Sequence, residues 1–319
     1  MNTMSTIRTA VIGTGYLGKY HVEKFAASPH STLIAVCDIN RDHTRELCEK
    51  FNINATEEYQ SLIGQVDAVS IAAPTPMHFE IAQFFLTHGV HVLIEKPITT
   101  TVEEADILIG IAKKNSLVLQ VGHIERFNPA FQFINPDTCR PVFIEAQRLT
   151  SFKLRGSDVS VILDLMIHDI DIVLSLTKSK VTDIRATGAS VLTPSIDIAN
   201  AHIEFENGCV ASVTASRINA SSERRLRVFQ HDTYFNIDLS RNVFRARKKA
   251  QTEMFPGIPN IDSEEVQLEK GDALQVEITD FLDAISQHRS PIVTGEAARD
   301  ALAVAIQITN IINANNQNA

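Results

Sequence analysis

Three short stretches of the 319-residue chain hold residues whose types and spacing could do chemistry. "HVLIEKPITT" ends an apolar strand pattern on Glu95, Lys96 and Pro97, a charged pair where a buried strand should finish. A lysine ammonium fixed at such an end can orient a hydroxyl and stabilise negative charge developing on its oxygen. "VILDLMIHDIDIVLSL" is apolar in almost every direction, yet Asp164, His168, Asp171 and Ser175 fall at i, i+4, i+7 and i+11 along it. Unpaired buried charge is costly, so such a stripe needs partners or a task. A carboxylate one turn before an imidazole can orient the ring and raise its basicity, which suits His168 to proton transfer near neutral pH. Asp169 and Asp171 read as structural, through caps or contacts between domains.

The third stretch, "GTGYLG", sets Gly13, Gly15 and Gly18 in GxGxxG spacing, with Tyr16 and Leu17 inside the loop. It follows the apolar run "RTAVI" and precedes a helical pattern that includes Leu17, Val22 and Phe25. Twenty residues beyond Gly18, the strand pattern "TLIAVCD" ends in Asp38. Loop amides and a helix N-terminus bind a pyrophosphate, and an acid at that distance binds ribose hydroxyls. Like charge sets Asp38 against the 2′-phosphate of NADP, so the expected cofactor is NAD, with Arg41 near enough in sequence to soften the preference.

The elements that must position these groups alternate. "DAVSIAAP", "VHVLIEKP" and "LVLQVGH" are strand patterns separated by the helical patterns "EIAQFFLTHG" and "TVEEADILIGIAKKN". Strands apolar on both faces and spaced by helices predict a parallel sheet covered on both sides, whose ligands bind beyond the strand carboxyl ends. Pro74, Thr75, His78, Glu95 and Lys96 are therefore expected to line the cofactor crevice. From about Pro141 the period changes to strand alternation, with Asn207-Gly208 as a hairpin signal. The fold class expected is an α/β Rossmann domain over residues 1–124, followed by an α+β domain with a mainly antiparallel open sheet over 125–319. Residues 248–271 are expected to form a long loop, and two amphipathic helices to close the chain.

Composition narrows the function classes. The formal charge is −9 and the one basic run, "RNVFRARKK", mixes apolar and basic positions as a strand with a solvated face does. Nucleic acid is not an expected partner. No secretory leader pattern and no run of about 18 apolar residues is present, so no membrane association is expected and a cytoplasmic location is. Cys37, Cys48, Cys139 and Cys209 lack metal-ligand spacing, and they read as reduced, with no metal site expected.

Taken in order, GTGYLG, "AVCD", "AAPTPMH", "EKP", "GHIERFNP" and "DLMIHDID" resemble the Gfo/Idh/MocA family of sugar and cyclitol dehydrogenases over nearly the whole chain. The resemblance implies NAD-dependent oxidation of a secondary alcohol at a domain interface, with Lys96, Asp164 and His168 converging on the nicotinamide. Either His168, oriented by Asp164, or Lys96 would be the base. "GHIERFNPAF" and "SDVSVILDLMIHDIDIVLSL" are similar to members that oxidise the 3-hydroxyl of UDP-N-acetylglucosamine for a partner aminotransferase, although the stretch often glycine-rich in related members reads "RGSDVSVILD". Arg126, Asn128 and Arg155 are then candidate substrate or diphosphate contacts, alongside structural roles for each. The second domain's open sheet face implies a homodimer or homotetramer. An inositol or free-sugar dehydrogenase, and a non-catalytic NAD(H)-sensing regulator, are the alternatives.

Overall fold

The computed structural model describes residues 6–154 and 159–317. They form two compact units: the chain through Ile124 together with Asp272–Arg299, and Glu125–Gly271 together with the chain from Asp300 onward.

The first unit opens with β1 (Ile7–Ile12), α1 (Gly18–Ala27), β2 (Ser31–Cys37), α2 (Arg41–Phe51) and β3 (Asn54–Thr56). It continues with β4 (Ala68–Ile71), α3 (His78–Thr87), β5 (His91–Glu95), α4 (Val102–Lys114) and β6 (Leu119–Gly122). The sheet order is β3-β2-β1-β4-β5-β6 with every pair parallel, so strand order reverses between β1 and β4. Ligands of such sheets bind at that reversal. Every residue of β4 and β6 is buried, as strands covered on both faces require. The helices start on local signals: Asn40 accepts from the Asp42 amide to cap α2, and Thr101 and Glu104 close a capping box on α4.

The second unit contains β7 (Phe143–Leu149), a helix, and the strands β8 (Val181–Ala189), β9 (Ile198–Phe205), β10 (Val210–Ser216), β11 (Glu223–Phe229), β12 (Thr233–Asp238), β13 (Val243–Phe255) and β14 (Ile258–Gln267). The strands form one eight-stranded sheet, β14-β13-β12-β11-β7-β10-β9-β8, antiparallel except where β7 runs parallel to β10. Gly208, at φ +82°, turns the chain between β9 and β10. Alternation buries Ala199, Ala201, Ile203 and Phe205 on β9 and Ala211, Val213 and Ala215 on β10, leaving Val210, Ser212 and Thr214 on the opposite face. Ile167, Ile170 and Val173 of the helix join the buried face in one core.

Two expectations are corrected here. Residues 248–271 are no long loop, because β13 and β14 pair as a hairpin that turns at Gly257. Its outer half is exposed on both faces and its register shifts between Lys249 and Phe255, so no face there has to be apolar and no period-two signal arises. The polar-striped helix is not α-helical throughout. Ile162–Met166 is a π-helical turn that runs into α5 (Ile167–Thr177), with Asp164 on the π turn and His168 in α5.

Two helices follow the hairpin. The first, α6 (Ala273–Ser286), belongs to the first unit, where Ile278, Phe281 and Leu282 share a core with Val11, Val22 and Phe25. The second, α7 (Gly295–Gln317), has its first turn in the first unit and the rest in the second. The four cysteines are free thiols. Among the described residues no helix is long and apolar enough to cross a membrane.

Within the second unit, a charged cluster ties the sheet to α5. Arg148 of β7 donates from Nε and Nη2 to both oxygens of Asp169 at 2.8 and 2.9 Å, and from Nη1 to Glu125 at 2.7 Å. Arg224 of β11 reaches the same Glu125 oxygen at 3.1 Å. Removing one partner of a buried pair leaves uncompensated charge. Arg148→Ala is therefore expected to cost about 3–5 kcal/mol, read as a lowered denaturant midpoint. A midpoint matching the wild type would show that the cluster does not hold this unit together.

Candidate active site

In the first unit the carboxyl ends of β1, β2, β4 and β5 share one edge. Gly13 leaves β1 at φ +84°, and a Cβ on Gly18 would lie 1.8 Å from the Gly13 carbonyl oxygen, so the loop closes tightly onto α1. A Cβ on Gly15 would meet no described atom within 4 Å. The loop backbone is thus bare on its outer side, as a dinucleotide pyrophosphate requires. Tyr16 stands 58% exposed beside it, edge-on to Tyr20, and Leu17 occupies the position before α1.

Asp38 follows β2 and turns back to the same loop. The Thr14 amide and hydroxyl donate to its Oδ2 at 2.7 and 3.0 Å, and the Asn40 amide to its Oδ1 at 2.8 Å. Burial works against the charged carboxylate, but these donors outweigh it and hold Asp38 below the usual range. Beside it lies a cleft of about 620 Å³ with Arg41, Arg45 and Glu57 among its walls. Arg41 is ion-paired with Glu57.

At the end of β5, the Lys96 amide donates to Glu95 Oε2 at 3.3 Å, and the Lys96–Pro97 peptide is cis. Glu95 Oε1 lies 2.9 Å from His21 Nε2, and His21 Nδ1 lies 2.8 Å from the Ser70 hydroxyl. Burial opposes ionisation of Glu95, but the hydrogen bond and charge of His21, then Lys96, pull its carboxyl below the ordinary range. His78 is buried, with its ring nitrogens 2.9 Å from the carbonyl oxygens of Pro97 and Ala73, so it braces two strand ends. Burial lowers its basicity more than those carbonyls raise it. Pro74 and Thr75 begin the turn that leads from the end of β4 into α3. Glu277 of α6 is wholly buried, and neither of its carboxyl oxygens has a hydrogen-bond partner among the described residues. Burial, then Glu95 and Asp280, pushes it well above the usual range, which favours its protonated form.

In the second unit Asp164 lies on the π-helical turn and His168 at the start of α5, both half-buried. Asp169 is taken up by Arg148, and Asp171 lies 3.4 Å from Arg126 Nη1. Asn128 donates to the Leu239 carbonyl and accepts from the Ala130 amide, so its side chain is engaged at both ends. Arg155 lies outside the described residues.

Three buried groups around Glu95 escaped the sequence reading: His21, Ser70 and Glu277. A signal existed for two of them. Gly18, His21, Val22 and Phe25 follow the i, i+3, i+4, i+7 spacing of α1's buried stripe, and Glu277 shares such a stripe with Phe281 and Ala284. A titratable residue on an apolar stripe marks a pairing, though its partner cannot be read from spacing.

A doubly wound parallel sheet, a bare glycine loop and an acid after β2 define a dinucleotide-binding oxidoreductase domain that takes NAD. Residues 7–123 match the family described as "Oxidoreductase family, NAD-binding Rossmann fold", and residues 121–233 the "GFO/IDH/MocA C-terminal domain". The chain belongs to the Gfo/Idh/MocA family of oxidoreductases. It is 42% identical to a UDP-N-acetylglucosamine 3-dehydrogenase from Acidithiobacillus ferrooxidans, over 96% of this chain and 97% of that one. The crystal structure of that protein superposes with a TM-score of 0.91, covering 98% of this chain and 99% of that chain. A scyllo-inositol 2-dehydrogenase (NAD(+)) from Bacillus subtilis is 26% identical over 95% of this chain and 93% of its own. Scyllo-inositol dehydrogenase from Lactobacillus casei, with NAD(H) and scyllo-inositol bound, shares the fold at a TM-score of 0.80 and 18% identity, each chain 98% covered.

Two predictions follow from the charges at this edge. Asp38→Ser removes the like charge facing a 2′-phosphate and should relax the preference for NAD over NADP about tenfold or more, a decade being roughly 1.4 kcal/mol. Binding titrations of both reduced cofactors check this, and an unchanged ratio would contradict it. For Glu277 the folded value exceeds the unfolded one, so above about pH 5 the unfolded chain binds fewer protons and stability falls as pH rises. Glu277→Gln should flatten that decline in melting temperature as pH rises above about 5, whereas parallel wild-type and variant curves would show that Glu277 titrates normally.

Proposed function

We propose that this chain oxidises the 3-hydroxyl of UDP-N-acetylglucosamine to the 3-keto sugar, passing the hydride to NAD. The observation that carries the reading is its identity, spread along almost the entire chain, to the Acidithiobacillus enzyme of that activity. The glycine loop and Asp38 fit the cofactor, and Lys96, Asp164 and His168 supply the residue types that the chemistry needs.

Bound NAD supplies the hydride acceptor. In this reading the Lys96 ammonium orients the substrate hydroxyl and stabilises negative charge gathering on its oxygen as the C–H bond breaks. His168 takes the hydroxyl proton, with Asp164 fixing the tautomer of its ring. Tyr16, Leu17, Pro74, Thr75, His78 and Glu95 shape the cofactor edge, Glu95 and His78 by holding the Lys96 turn. Arg126, Asn128 and Arg155 are proposed for the sugar nucleotide side, Arg126 and Asn128 after rearrangement of the bonds they make to Asp171 and Leu239. The domain from Glu125 would carry substrate binding and self-association into a homodimer or homotetramer. The keto sugar, a poor end product, would pass to an aminotransferase in the cytoplasm.

The test is reduction of NAD by the purified chain with UDP-N-acetylglucosamine, coupled to an aminotransferase and glutamate that remove the ketone. Wild-type turnover with losses of about 100-fold or more in Lys96→Met and His168→Ala is expected. Turnover with inositol or a free hexose but not the nucleotide sugar would overturn the substrate, and NADH binding without turnover on any of them would favour the sensing regulator.

A further inference from the structure

His21 has no place in the reaction described above, yet the sheet makes room for it. The ring is 1% exposed and is gripped at both nitrogens, by Ser70 at 2.8 Å and by Glu95 at 2.9 Å. Ser70 is a wholly buried hydroxyl in an otherwise apolar strand, and the contact that accounts for it is this ring. Because a carboxylate oxygen only accepts, Nε2 carries the proton and donates to Glu95. Ser70 can donate or accept, so Nδ1 is satisfied in either charge state of the ring.

On the far side of the carboxyl, a Cβ on Gly122 would lie 3.1–3.2 Å from the Glu95 carboxyl atoms, so β6 is bare where Glu95 rests. The titratable groups that face Glu95 are His21 from α1, His78 from α3, Lys96 on the adjoining turn and Glu277 from α6. His78 is spent on two carbonyls and Glu277 is a second carboxyl, so His21 and Lys96 are what sustain a carboxylate here. Without His21, Glu95 keeps one long bond to the Lys96 amide at 3.3 Å and must either take a proton or move toward the ammonium. Either response changes the charge or the position of Lys96.

We propose that His21 is a positioning residue for Lys96, acting through the carboxylate of Glu95 with Ser70 as its anchor. The proposal rests on Lys96 acting in the reaction, and its first readout needs no substrate. Competitive acetylation of the full-length protein across pH, read on the Lys96 peptide by mass spectrometry, gives the titration midpoint of that amine. In His21→Leu the midpoint should move by about one pH unit, downward where Glu95 takes a proton and upward where its carboxylate closes on the ammonium. In His21→Gln, whose side-chain N–H can donate to Glu95, it should return toward the wild-type value. The pH profile of kcat should follow the same order, with kcat itself about 100-fold lower in His21→Leu and NADH affinity retained.

A folded His21→Leu with the wild-type midpoint would overturn the proposal, as would a shift that His21→Gln fails to reverse. Should His21→Leu not fold, Ser70→Ala tests the same chain from its anchor: a smaller shift in the same direction is expected, and none would overturn the proposal. A wild type that oxidises no sugar would refute the proposed function while the lysine titration still decides the role of His21.

Discussion

An anion at the end of a buried strand has to be sustained by its neighbours, and much of the first unit is arranged around one such group, Glu95. The parallel sheet brings it to the carboxyl edge, with an apolar strand behind it and a bare glycine beside it. His21 reaches it from α1, anchored on β4 through Ser70, so helix and sheet are joined at the level of the cofactor edge. Lys96 follows directly in the chain. The backbone amide of the lysine is thus tied to a carboxylate that is itself tied to two other elements. The buried acid of α6 fits the same logic, because two neighbouring carboxyls cannot both ionise cheaply, and burial and Glu95 raise Glu277 while Glu95 itself is held low.

The second unit solves a related problem differently. Asp169 of α5 and Glu125 converge on one guanidinium, which holds the helix carboxylate by a bidentate fork and Glu125 by a third bond. That assigns the aspartate next to His168 to holding the helix on its sheet. Asp164 and His168 are left at the half-buried start of this helix, where a π-helical turn alters the spacing of side chains. Such turns recur at functional sites.

Local patterns were legible in the sequence and long-range pairings were not. Strand alternation, the glycine loop and the acid twenty residues on are readable because each is set by a few adjacent residues. Asn207-Gly208 likewise announced its hairpin. The partnership of His21 with Glu95 spans 74 positions, and that of Arg148 with Asp169 spans 21, distances at which spacing carries no information about contact. The hairpin of β13 and β14 hid because both faces of its outer half meet solvent, so no alternation was required of it. The π turn hid because a helix apolar in almost every direction has no clear period by which a widened turn could be told from an α turn. The amphipathic pattern of α6 announced a helix but not the unit it joins.

The central claim is that hydride leaves a sugar carbon for NAD on this chain. Its most direct test uses UDP-N-acetylglucosamine carrying deuterium at C3, with the NADH formed analysed by mass spectrometry. Transfer from C3 gives one deuterium per NADH and a slowed turnover if the transfer limits the rate. NADH formed without the label would contradict it, because the hydride would then come from another carbon.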